Sequence, residues 1–382
     1  MRLLVTGGSG FLGGYVLAEA ARRGHSCVAL ARSPTAARAV AARGATPLTG
    51  DLDDDAALAE VFARAGCDAL VNLASLGFGH APGIAGAAVR AGLDRAVFVS
   101  TTAVTTTLAA PSKAVRLAAE EEIRRSGLSW TIVRPTMIYG AAGDRNLSRL
   151  LALLARLRRV PVPRGMPLAL PVPGGGRQLQ QPVHVADLAA AVLSAAERPG
   201  AAGHGYDVAG PEALAFAELL HASAAAVGCR IRLVPAPLAP AIALTRVYER
   251  VSRRPRIRVE QWQRLAEDKA FHIDAAVREL DYAPRSFADG IRAEAVGLGL
   301  AASLSVSSLP ASVPPAPCPC ADGPGDAGAV IADPYSEIRC SALPRARWPL
   351  SLVSTCRCAA RPGCCSTPTP GRATTRRSPS PE

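Results

Sequence analysis

The chain has 382 residues, 49% hydrophobic and 19% charged, enough apolar material for a packed core and too little charge for general disorder. Aromatic residues make up only 4%, which argues against a nucleic-acid binder built on stacked rings. The net charge of +12 would suit an anionic partner, but 41 of the 43 basic residues are arginine, and that bias reads as a solvated basic surface.

Short apolar runs alternate with helical periods from the first residues onward. Arg2–Thr6 reads as a strand, 11–23 as a helix and Ser26–Ala31 as a second strand. A helix over 34–43, a strand near 46–48, a helix over Asp55–Ala65 and a strand at 69–73 follow. Next come a helix over 83–92, a strand at 96–100, a helix over 112–126 and a strand at 130–134. Six apolar strands separated by helices predict an α/β fold, a doubly wound parallel sheet covered on both faces. Beyond Gly140 the pattern loosens. A basic amphipathic helix at 146–159 precedes a proline-rich passage and the run Gly174–Gly176; a short strand at 181–185 and helices over 186–196 and 212–227 follow.

Residues 297–382 hold 14 prolines and seven of the ten cysteines with no helical or strand period, and read as a disordered tail. Its cysteines match no zinc spacing and no histidine accompanies them, so no metal site is expected. Cys27, Cys67 and Cys229 read as small buried hydrophobes of a reducing compartment. Met1-Arg2 runs straight into the first strand without room for a leader. The apolar run 233–244 is 12 residues long and broken by prolines, against the roughly 20 that cross a bilayer. A cytoplasmic protein with no integral membrane segment is expected.

The segment Thr6-Gly7-Gly8-Ser9-Gly10-Phe11-Leu12-Gly13 lies where the first strand ends and the first helix begins. Gly7 permits the tight turn, Gly10 lets the backbone approach a pyrophosphate, and Gly13 lets the helix pack on the sheet. The helix start offers free N–H groups and a positive dipole end to phosphates. Residues 1–140 therefore read as a dinucleotide-binding core, with 141–296 a substrate-side lobe completing the same domain. The second strand ends in Ala31-Arg32-Ser33, where an NAD site usually carries an acidic residue for the ribose 2′-hydroxyl. Arg32 can hold a 2′-phosphate bidentately and Ser33 can donate to it, so NADP(H) is favoured, with NAD an open alternative.

These residues, with Gly50-Asp51-Leu52, Leu73-Ala74-Ser75, Val99-Ser100-Thr101-Thr102 and Ser112-Lys113, resemble the short-chain dehydrogenase/reductase superfamily in its extended, epimerase/dehydratase-like branch. The resemblance extends over Arg134-Pro135-Thr136-Met137-Ile138-Tyr139-Gly140, Gln181-Pro182-Val183-His184-Val185-Ala186-Asp187 and Tyr282-Ala283-Pro284-Arg285-Ser286-Phe287, covering roughly residues 1–294. It implies that Asp51 and Leu52 line an adenine and that Leu73 and Ala74 pass beside the nicotinamide ribose. A plain reading makes Asp51 a helix N-terminal residue and Ala74 a close-packing position.

In that family a tyrosine four residues before a lysine moves the proton, the lysine lowers the phenol's pKa and bonds the ribose, and a Ser or Thr holds the substrate oxygen. The resemblance assigns the lysine to Lys113 and the hydroxyl to Thr102 or its neighbour Thr101. Position 109 is alanine, so the usual acid/base is absent. Tyr139, His80 and His184 are the replacement candidates by position. The expected function is an NADP(H)-binding oxidoreductase/epimerase-like protein acting on a small carbonyl or alcohol. The alternative is a non-catalytic NAD(P)H-binding structural or redox-sensing protein. A small-molecule substrate and no nucleic acid are the expected partners, and nothing in the sequence sets an oligomeric state.

Overall fold

Leu3, Leu4 and Val5 are all fully buried in β1 (Arg2–Thr6), the continuous burial of an inner strand with helices on both faces. The computed structural model describes residues 1–107, 111–144, 146–160, 166–237, 245–246, 248 and 267–301. After β1 come α1 (Phe11–Arg22), β2 (Ser26–Ala31), α2 (Pro34–Ala41), β3 (Thr46–Thr49), α3 (Asp55–Ala65) and β4 (Ala69–Asn72). They lead to α4 (Ala81–Arg90), β5 (Arg95–Val99), α5 (Pro111–Arg125) and β6 (Ser129–Pro135). Local chemistry marks the helix ends: the Ser33 and Asp54 side chains accept the Ala36 and Ala57 N–H groups, and Gly66 closes α3 at φ 55°.

The second half adds β7 (Ile138–Tyr139), α6 (Leu147–Leu157), β8 (Leu168–Pro173), β9 (Leu179–Gln180), β10 (Val183–His184) and α7 (Val185–Glu197). Then come β11 (His204–Val208), β12 (Leu214–Ala215), α8 (Phe216–Ala226), β13 (Ile231–Ala236), α9 (Asp274–Leu280) and α10 (Phe287–Gly297). The main sheet runs β11-β6-β5-β4-β1-β2-β3, parallel throughout. Strand order turns back between β1 and β4, which opens a crevice at their carboxyl ends. One face buries Val16 and Leu17 of α1 with Leu188 and Val192 of α7. The other buries Leu58 and Phe62 of α3, Ile84 of α4 and Ile123 of α5.

All six predicted strands are present, and β11 is a seventh. Only its Tyr206 and Val208 are buried, so this edge strand lacks the apolar run that marks the others. The helix expected over 212–227 begins at Phe216, because Leu214 and Ala215 pair with Gln180 and Leu179, and Glu218 accepts the Ala215 N–H. The proline-rich passage is partly a strand. β8 pairs with β13 in a separate two-stranded ladder, where prolines at 171, 173 and 235 are tolerated. Helix α6 turns Leu147, Leu151 and Leu154 inward as its period requires, onto a third core shared with α8 and α10. The tail reading for 297–382 is corrected at its start, because Gly297 ends α10 and Leu298, Leu300 and Ala301 pack on the third core; 302–382 lies outside the described residues. No described helix is long and apolar enough to cross a membrane.

Candidate functional site

The crevice is built around the glycine turn. Gly7 has φ 71°, and a Cβ there would fall 2.9 Å from the Leu73 carbonyl carbon and the Ala74 nitrogen. A Cβ on Gly13 would fall 2.5 Å from the carbonyl oxygens of Gly7 and Gly8, so only glycine lets α1 sit this close to the turn. The Gly10 N–H donates to the Gly7 carbonyl at 3.0 Å and closes the loop. Neither the Ser9 nor the Phe11 N–H has an acceptor among the described residues. A cradle lined by glycines, with unpaired N–H groups at a helix start, fits a dinucleotide pyrophosphate. Leu12 packs half-buried against the α1/α7 core. Thr6 and Asn72, missed in the sequence, brace the crevice: Thr6 Oγ1 donates to Asn72 Oδ1 at 2.5 Å, and Asn72 Nδ2 donates to the Ala74 carbonyl at 3.2 Å. A polar residue ending an apolar strand beside Leu73-Ala74 was the available signal.

Arg32 and Ser33 follow β2, the neighbour of β1, and both are exposed. Ser33 Oγ accepts the Ala36 N–H at 3.2 Å, a bond that uses a lone pair and not the hydroxyl proton. Asp51 is exposed and its Oδ1 accepts the Asp53 N–H at 3.2 Å. The plain reading of Asp51 as a helix N-terminal residue is corrected: Asp54 caps α3, and Asp51 opens the turn before it. Leu52 packs half-buried on the α3/α4 core, and Ala74 is half-buried at the turn's floor.

Lys113 lies in the first turn of α5, half-buried, and its Nζ donates to the Thr106 carbonyl at 2.5 Å. Thr106 Oγ1 donates to Glu267 at 2.6 Å, and Thr107 donates to the same carboxylate through its N–H at 2.7 Å and its hydroxyl at 2.9 Å. Burial raises the Glu267 pKa, but these hydrogen bonds outweigh it and leave the pKa lowered. Thr102 is 7% exposed and its Oγ1 donates to the Pro135 carbonyl at 3.3 Å, which turns its proton inward. Thr101 is the more exposed of the two, with Oγ1 accepting the Ala103 N–H at 3.2 Å. Position 109 lies outside the described residues.

Tyr139, expected as a replacement acid/base, sits in the third core. Its ring meets His184 edge-on at 5.3 Å and Phe287 at 5.3 Å, and its hydroxyl lies where any side chain on Gly290 would stand. Burial, and next the Asp187 charge, push its pKa up, away from proton transfer near neutrality. His184 caps α7, with Nδ1 accepting the Ala186 N–H at 3.2 Å; burial and then the Arg285 charge bring its pKa down to about 4. His80 stays half-buried at the start of α4, its Nδ1 3.6 Å from Oδ1 of Asp53, which lies two residues beyond Asp51.

The network that holds α5 in place was not read in the sequence. Fully buried Glu120 accepts Arg134 Nη2 at 2.6 Å, Ser100 Oγ at 2.7 Å and Arg124 Nη2 at 2.9 Å. Burial raises its pKa, yet the hydrogen bonds from Arg134 and Ser100 win and hold it below the ordinary value. The pair ties the helix that carries Lys113 to β5 and β6.

A family model described as NAD(P)H-binding matches residues 7–151. A ketoreductase of Stigmatella aurantiaca, named for 4-hydroxy-2-methyl-3-oxo-4-farnesyl-3,4-dihydroquinoline-1-oxide, is 31% identical over 75% of this chain and 92% of its own. The Thermus thermophilus UDP-glucose 4-epimerase in complex with NAD aligns over 78% of this chain and 99% of its own, with TM-score 0.57 and 22% identity. An Escherichia coli NADPH-dependent quinone oxidoreductase aligns over 76% and 98%, with TM-score 0.57 and 21% identity. The two structural likenesses show the Rossmann fold. The ketoreductase relative, with the NAD(P)H-binding match, places the chain in the NAD(P)-dependent epimerase/dehydratase-like branch of the short-chain dehydrogenase/reductase superfamily, as an NAD(P)H-binding, oxidoreductase/epimerase-like protein.

Proposed function

We propose that the protein uses NADPH to reduce a ketone carbonyl on a small, largely apolar substrate. The observation that carries this reading is the 31% identity to a ketoreductase over 92% of that enzyme. NADPH is preferred over NADH on account of Arg32 and Ser33 at the end of β2, where no carboxylate follows. Residues 1–140 hold the dinucleotide and 141–296 complete the substrate side. Phe78, 77% exposed just beyond β4, supports an apolar substrate. Cys27, Cys67 and Cys229 are free thiols, which supports a reducing cytoplasmic setting, and burial raises the pKa of each and keeps it unreactive.

When bound, the cofactor supplies hydride. The chain's own part is to bind and orient: Ser9 and Phe11 N–H groups on the phosphates, Lys113 on the nicotinamide ribose, and Thr101 on the carbonyl oxygen. With alanine at position 109, that oxygen takes its proton from water, and the lost general acid costs about 10²–10⁴ in rate. A second reading, an NAD(P)H-binding protein without turnover, is favoured by Ala109 together with the burial of Tyr139 and His184.

Calorimetric titration with NADPH and NADH, followed by reduced-nicotinamide absorbance over a panel of ketones and quinones, tests both. Consumption of NADPH with a ketone is expected. Tight binding with no oxidation across the panel would favour the second reading, and no binding of either cofactor would sink both.

A further inference from the structure

Arg43 follows α2, yet its guanidinium lies on the glycine turn. Nη1 donates to the Gly8 carbonyl at 2.9 Å and reaches the Gly10 carbonyl at 3.5 Å. A Cβ on Gly14 would fall 2.9 Å from the Arg43 Cζ, so a glycine inside α1, normally unfavourable there, leaves room for this side chain. No carboxylate among the described residues pairs with it, and burial alone lowers its pKa. A half-buried cation without an acidic partner is costly unless something else supplies negative charge.

The two carbonyls matter because of what shares their peptide planes. The Gly8 carbonyl belongs to the peptide that carries the Ser9 N–H, and the Gly10 carbonyl to the one that carries the Phe11 N–H. Both N–H groups lack an acceptor among the described residues. A donor on the carbonyl oxygen withdraws charge through the conjugated peptide and makes the N–H on its far side a stronger donor. We infer that Arg43 is a positioning residue for the cofactor's pyrophosphate, acting through the Gly8–Ser9 and Gly10–Phe11 peptides and adding a cation to the dinucleotide site beside Arg32 and Lys113. Its ligand is the pyrophosphate shared by both nicotinamide cofactors, whereas Arg32 reads the 2′-phosphate alone. The inference rests on the NAD(P)H-binding reading and deepens it.

The full chain is titrated calorimetrically with NADPH, NADH, adenosine diphosphate ribose and adenosine 2′-monophosphate, the last lacking a pyrophosphate. Arg43→Met is expected to weaken the first three by one common factor of about 5- to 30-fold, the scale of one unit charge acting over several ångströms near a protein surface. Binding of adenosine 2′-monophosphate should not change. Arg43→Lys should recover part of the loss. Arg43→Gln, which keeps a donor but no charge, should lose nearly as much as Arg43→Met at an unaltered melting temperature. Arg32→Met should weaken NADPH and spare NADH. NADH affinity unchanged in both Arg43→Met and Arg43→Gln would overturn the inference, as would a loss confined to NADPH and adenosine 2′-monophosphate. A wild-type chain that binds none of the four ligands would overturn the cofactor reading itself, and this inference with it.

Discussion

Arg285 grips Asp187 with its side chain and its backbone at once: Nη2 donates to Oδ1 at 2.7 Å, Nε to both carboxylate oxygens at 3.0 Å, and the N–H to Oδ2 at 3.0 Å. Asp187 is 9% exposed in the first turn of α7, and Arg285 lies between α9 and α10. The pair therefore fastens the last helices to one that packs on the main sheet. Tyr282 adds to it by donating to the Ala209 carbonyl at 2.7 Å.

Arg285→Ala should destabilise the protein by about 2–4 kcal/mol, because it leaves a nearly buried carboxylate without its main partner. The guanidinium's own partial exposure keeps the loss toward the lower end. Arg285→Lys should restore only part, since an ammonium cannot reproduce the fork. Arg285→Ala also removes a charge that depresses His184, so the His184 pKa should rise from about 4 in that variant. Urea unfolding and an NMR titration of His184 check the two effects.

Glu294 predicts an unusual pH dependence. It is 2% exposed on α10, neither of its oxygens closes a hydrogen bond with a described residue, and the Gly140 N–H faces it without completing one. Burial, then the nearby Asp144 carboxylate, push its pKa from 4.5 up to about 8. Between those values the folded state holds a proton that the unfolded state has lost. Stability should therefore fall as pH rises from about 4.5 through about 8 and level off above, by a few kcal/mol in all. Glu294→Gln should flatten that slope and raise the melting temperature at alkaline pH. Parallel curves for variant and wild type would refute the assignment.

The strands of the sheet were legible because burial on both faces writes continuous apolar runs, as in Leu3-Leu4-Val5 and Ala96-Val97-Phe98-Val99. The glycine turn was legible because each glycine's reason is local: a left-handed φ at Gly7 and close contacts at Gly13. The burial of Tyr139 was not legible because nothing near it in the chain shows that Gly290, from α10, would take its hydroxyl into a core. Thr102 illustrates a one-residue ambiguity: β5 ends at Val99, Thr101 caps the short 3-10 turn that Thr102 begins, and the two hydroxyls find different partners. Arg43 was hidden twice over, by 35 residues of separation from Gly8 and by the abundance of arginine.

Cofactor choice should follow Arg32. The native protein should bind NADPH more tightly than NADH, and Arg32→Asp should narrow or reverse the preference by placing a carboxylate where the 2′-phosphate would sit. Ser33→Ala should act on two quantities, costing about 1 kcal/mol of stability through the lost α2 cap and a smaller part of the NADPH preference. Equal wild-type affinities for the two cofactors would remove the basis for both.

Lys113 separates binding from chemistry. In the family its lysine holds the ribose hydroxyls and lowers a phenol's pKa, and with alanine at position 109 the second task has no recipient. Its bond to the Thr106 carbonyl holds the Nζ beside the loop that Glu267 clamps. A hydrogen bond from a charged donor is worth about 1.5–3 kcal/mol, so Lys113→Ala should weaken NADPH binding roughly 10- to 150-fold. Lys113→Arg should rescue this only in part, because a planar fork cannot take the place of a compact ammonium. Where turnover is measured, the rate at saturating NADPH should fall far less than the affinity does. Unchanged NADPH affinity with abolished turnover would contradict this account, and would make Lys113 the partner of an acid/base group outside the residues named above.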